Sequence, residues 1–148
     1  MAIIQSATTS FKVELLQGVH NFGPTSPDTF KIALYTGSAN INQSTTAYTT
    51  AGEVVGTGYT AGGQTLTISL SPTSGNNSLN IPTAYINFAN VTWPNGTFTA
   101  RGALIYNATE GNKSVAVLDF GSDKTVNNDT FQIIFPTADA NSAIVRIS

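Results

Sequence analysis

The sequence predicts an all-β fold: a β-sandwich, jelly-roll-like in its connections, with one short N-terminal helix. Three observations carry this prediction. Apolar and polar residues alternate with period two in short runs, as in Phe30-Lys31-Ile32-Ala33-Leu34-Tyr35 and Leu66-Thr67-Ile68-Ser69-Leu70, which places alternate side chains on opposite faces of a strand. Clusters of Gly, Asn, Pro and Ser separate these runs, and such residues supply the backbone geometries that turns need. Only one segment, near the N-terminus, carries helical periodicity. About eight or nine strands with a single helix point to two packed sheets.

Residues 1–10 read as an N-terminal arm and 11–148 as a single β-sandwich domain. Ile3 and Ile4 begin either an edge strand or a docking arm, and 6–10 form a polar joint. A helix is expected over 10–20, with Ser10 as N-cap and Phe11, Leu15, Leu16 and Val19 on one face. His20 falls in its last turn, and Gly23-Pro24 ends it. The strand over 29–36 sends Phe30, Ile32 and Leu34 one way and Lys31, Ala33 and Tyr35 the other. Residues 37–46 are a polar loop. Residues 49–60, with Gly52, Gly56 and Gly58, read as an irregular or bulged strand. Gly62-Gly63 turns the chain into a strand over 64–71, and 72–80 form a second polar loop.

A strand over 84–93 is expected to end at Trp93, followed by a turn at Pro94-Asn95-Gly96 and a strand over 97–107. The centre of the chain is the hairpin that follows. Ala103-Leu104-Ile105-Tyr106 and Val115-Ala116-Val117-Leu118 flank an Asn/Gly-rich connector, the pattern of two strands joined where positive φ is needed. Both faces of this hairpin are apolar, so it is expected to be buried between layers. Residues 121–129 form a turn-rich connector, and strands over 130–136 and 142–147 close the chain.

Only 9% of the 148 residues are Asp, Glu, Lys or Arg, against about 25% in typical domains. Polarity comes instead from 22 Thr, 14 Asn and 13 Ser. A net charge of −2 gives weak repulsion between copies, which suits a protein that works packed against others, and Thr-rich strands alone would produce the same composition. Six scattered basic residues form no patch for nucleic acid. With no cysteine there is no disulfide or thiolate chemistry. No signal peptide is read at the N-terminus, and no apolar run approaches the ~18 residues of a membrane helix.

Several motifs reduce to simpler readings. Asp119-Phe120-Gly121 lacks the other parts of a kinase. The Gly56–Gly63 glycines fit no phosphate-loop spacing. His20, the single histidine, is read as a helix-dipole partner rather than part of a triad, since no nucleophile elbow accompanies it. Asp119, Asp123 and Asp129 lack calcium-loop spacing and read as turn residues. No pair among Asp28, Glu53, Glu110 and those aspartates is singled out for glycoside hydrolysis. Seven N-x-S/T sequons are expected to be unused. Tyr35, Tyr48, Tyr59, Tyr85, Trp93 and Tyr106 could line a sugar-binding face, but cross-strand packing is the favoured reading. No enzyme, metal or cofactor is expected.

The blocks FKVELLQGVHNF, DTFKIALYT, TTAYTTAGEVVGTGYTAGGQTL, ARGALIYN and VAVLDFGSDKT resemble a family of small tailed-bacteriophage virion structural proteins. The resemblance runs from Phe11 to Ile147 and implies a virion role without a catalytic motif. The resulting expectation is a capsid decoration (cement) protein on the capsid surface, made in the bacterial host cytoplasm. Its partners would be the major capsid protein and itself, as a homotrimer, with neither nucleic acid nor membrane. Ile3 and Ile4 are the candidate docking residues, with loops 37–46 and 72–80 behind them. The alternatives are a tail, collar or baseplate component, and the carbohydrate-binding module of a receptor-binding protein.

Overall fold

A computed structural model describes residues 2–148. It contains eight strands and one helix: β1 (Ser6–Ala7), α1 (Thr9–Leu16), β2 (Phe30–Tyr35), β3 (Gln64–Thr65), β4 (Ile68–Asn76), β5 (Pro82–Phe88), β6 (Val91–Asn107), β7 (Lys113–Ile133) and β8 (Val145–Ile147). Two antiparallel sheets, ordered β1-β7-β6-β2-β3 and β4-β5-β8, form the expected all-β sandwich.

The central part of the larger sheet is buried on both faces. Phe30, Ile32, Leu34, Ala103, Ile105 and Val115 point into the main core, where Ile86 and Phe88 of the second sheet meet them. Ala33, Tyr35, Leu104, Tyr106 and Val117 point the other way into a second core closed by Ala39, Ile41 and Tyr48. The alternation read along 29–36 therefore assigns each side chain to its core correctly. In the central hairpin Ile105 pairs with Ala116 but Tyr106 pairs with Ser114. Val115 is the extra residue of a bulge, which lets two consecutive side chains serve the main core.

The helix is shorter than expected and shifted. Thr8, not Ser10, is the N-cap, with its Oγ1 accepting from the Phe11 N–H at 3.4 Å. Gly18, at φ +70°, ends it by letting the Val19 N–H reach back to the Glu14 carbonyl at 3.0 Å, a left-handed glycine stop. Gly23-Pro24 lies well beyond it. The buried face holds Phe11 and Glu14, and Leu16 stands in solvent.

Two expected turns are absent for one reason. Pro94-Asn95-Gly96 lies within β6 and residues 121–129 lie within β7, both in one long ribbon in which Gly96 pairs with Asp129 and Thr97–Ala100 pair with Lys124–Asn127. Register breaks at Trp93/Gly96, Gly96/Thr97 and Ala100/Gly102, with Asn95, Gly121 and Asn128 at positive φ, absorb the extra residues as bulges. The residue preferences were read correctly; the ladder overrode their turn meaning. Likewise most of 72–80 is strand β4, and Pro72 sits at a register break in an edge strand where its missing N–H is harmless. The expected strand over 64–71 divides at Leu66-Thr67 between the two sheets. The one over 84–93 divides at Ala89-Asn90. Residues 49–60 form no strand but touch the sheet through isolated bridges, Tyr35 to Glu53 and Thr57 to Thr97.

Candidate functional site

The polar side chains of the interior form two networks. Beneath α1, His20 folds back past the helix end, and its Nε2 lies 2.7 Å from Glu14 Oε2. Lys113 Nζ approaches the other Glu14 oxygen at 3.3 Å. Asn107 Oδ1 accepts from the Thr109 and Glu110 N–H groups, so its Nδ2 must face His20 Nδ1, at 3.0 Å, and Asp28 Oδ2, at 2.7 Å. This orientation makes Nδ1 an acceptor and Nε2–H the donor to Glu14. His20 is thus a partner of Glu14 rather than of the helix dipole. Both of its nitrogens are engaged and its side chain is fully buried. No serine hydroxyl among the described residues is bonded to it.

The second network holds residues 36–63 against the sheet. Glu53, buried, accepts from the Tyr48 and Tyr59 hydroxyls and from the Gly62 N–H, each at 2.7 Å. Tyr35 donates to the Thr49 carbonyl at 2.6 Å and Tyr106 to the Gly62 carbonyl at 2.7 Å. Burial drives all four phenols above their ordinary range, aided for Tyr48 and Tyr59 by the hydrogen bond to Glu53. Tyr106 is pushed up to about 12 by burial and by the Glu53 charge. Three donors on one carboxylate stabilise its charge in the interior.

The aromatic residues considered for a sugar platform are not gathered on one surface. Tyr35, Trp93 and Tyr106 are buried, Tyr48 stacks on Tyr106, Tyr59 tilts against Trp93, and Tyr85 lies in the other sheet. They pack across strands. Among the described residues the Trp93 Nε1 has no hydrogen-bond partner. Among the described residues no three His, Asp or Glu side chains converge as a metal site. Asp119 is committed to the Gly121 N–H at 2.8 Å and to Arg101 at 3.3 Å, and these partners, the N–H first, hold its carboxyl below the usual range.

The surface is more informative. Ile3 bridges to Ile41 and packs on the second core, with its methyls against Gly102. Ile4 is half exposed while its N–H donates to the Ile41 carbonyl. Of the two candidate docking residues, Ile3 is an anchor and Ile4 faces outward. Loop 37–46 supplies Ala39 and Ile41 to the second core, and the turn after β4 displays Leu79. Sequence reading missed one side of the sandwich. There β7, beyond the two residues paired with β1, and β8 are both edge strands. A groove of about 570 Å³ runs beside β7, lined by Leu118, Phe120, Val126, Phe131 and Ile144. A second, of about 520 Å³, continues from it between α1, β1 and β8. The one signal in the sequence was apolar residues in the outward phase of closing strands: Ile134 and Ile147 are largely exposed. No family model, curated protein or solved structure matches the chain.

Proposed function

We propose that this protein is a virion structural protein of a tailed phage, acting as a capsid decoration protein that braces the shell. The observation that carries the reading is the surface: 9% charged residues overall, outward Ile4 and Leu79, and two grooves with exposed Ile134 and Ile147 in their linings. A surface of this kind has little to repel neighbours and apolar area to bury against them. The sequence blocks that resemble phage virion proteins support the same role. The action is mechanical. Each copy, in a trimer around a local three-fold axis, spreads contact over several shell subunits, and modest contacts made together hold far more tightly than singly. The interior networks serve this by fixing the covering loops.

Quantitative mass spectrometry of separated phage heads and tails tests the reading. Hundreds of copies per head are expected. A dozen or fewer, or presence only with tails, would sink it in favour of a collar or tail component.

A further inference from the structure

The groove at β8 has a chemistry of its own. It is lined by five consecutive residues, Ile144–Ser148. Because strand side chains alternate between faces, a cavity that touches every residue of such a run meets the strand along its edge. That edge is open: among the described residues β8 pairs with β5 on one side and with no strand on the other. The opposite wall comes from Phe11 and Leu15 of α1 and from Ala116 and Leu118 of β7, which are apolar, with Gln5 and Ser6 beside them. Ile147, 58% exposed, stands at the mouth.

The charges of this groove are one-sided. Lys12 and Arg146 line it, and no Asp or Glu side chain does, on a chain whose net charge is −2. Lys12 makes no ion pair among the described residues, and the Arg146 guanidinium donates only to the Asn141 carbonyl. The β7 edge differs. It carries Asp123, Lys124 and Asp129 beside residues at positive φ, Gly121 and Asn128, features that keep an edge from pairing.

We infer that the β8 groove receives an extended segment of a partner protein, bearing alternating apolar side chains and flanking carboxylates, as an added strand of the smaller sheet. Main-chain hydrogen bonds to β8 supply affinity, apolar side chains enter between α1 and β7, and Lys12 and Arg146 select the acidic segment. The identity of the donor, a shell protein, rests on the assembly role proposed above; the chemistry of the groove does not.

The test uses the full chain and a yeast-displayed library of random ten-residue peptides. Recovered peptides are expected to be rich in alternating Val, Ile, Leu or Phe with Asp or Glu at one or both ends. Their binding should weaken at least about tenfold between 50 and 500 mM salt and at least about tenfold in Lys12→Glu/Arg146→Glu, whose two sites are exposed. Amide exchange at β8 should slow when a recovered peptide is added. Failure to enrich any peptide, enrichment without acidic bias, or binding that survives the double substitution overturns the inference. Copy number in heads is read separately, so loss of the virion role leaves this result standing, and the reverse.

Discussion

The side-chain amide of Asn107 is fixed from both ends, its oxygen by two backbone N–H groups and its nitrogen by His20 and Asp28. Asn107→Asp would place a second carboxylate 2.7 Å from Asp28 and against the Nδ1 lone pair of His20. It is therefore expected to cost about 3 kcal/mol or more at neutral pH. Urea unfolding at neutral pH measures this, and a change below about 1 kcal/mol would contradict the assignment. Glu53 makes a gentler case. Glu53→Gln keeps the shape but cannot accept from three donors with both terminal atoms, so about 1–3 kcal/mol is expected. Glu53→Ala should cost more, because it leaves the Tyr48 and Tyr59 hydroxyls and the Gly62 N–H without their acceptor.

At the scale of elements, two glycines with the same φ of +70° separate backbone strain from steric clash. At Gly18, beyond α1, a Cβ meets nothing within 4 Å, and Gly18→Ala should cost only about 1 kcal/mol for the left-handed backbone. At Gly63, where the chain enters β3, a Cβ would fall on the Ile32 carbonyl, so Gly63→Ala should cost more than about 2 kcal/mol and loosen β3 from β2. Equal melting temperatures for the two variants would refute this. The same distinction explains what the sequence could disclose. Period-two alternation is local, so β2, the central hairpin and the sandwich class were legible. Turn residues are local too, but their meaning depends on a partner: Pro94–Gly96 and 121–129 became bulges because each is held within the long β6–β7 ladder. The grooves were illegible because strand order, which decides that β7 and β8 are edges, is set by contacts distant in sequence. Lys12 and Arg146 meet only through it.

For the whole molecule, the larger sheet separates two cores of different character, and this gives stability a pH dependence on the alkaline side. The main core is held by apolar contact. The second core is covered by the irregular stretch 36–63, tied down by the hydroxyls of Tyr35, Tyr48, Tyr59 and Tyr106. All four are raised above the ordinary tyrosine value of about 10 in the folded chain, Tyr106 to about 12. Their contribution is complete below about 10. Above it the unfolded chain releases phenolic protons that the folded chain retains, so stability falls as pH rises toward the folded values. Urea midpoints are expected to be level from about pH 8 to 9.5 and to fall steeply above 10. Phenolate absorbance from these tyrosines should appear with unfolding rather than before it. Tyr106→Phe removes one titrating group, and its midpoint should decline less over the same range, although the bond to the Gly62 carbonyl is lost at every pH. Early phenolate absorbance in a protein that remains folded would mean that the covering layer opens on its own. The two cores would then be separable units rather than one cooperative structure.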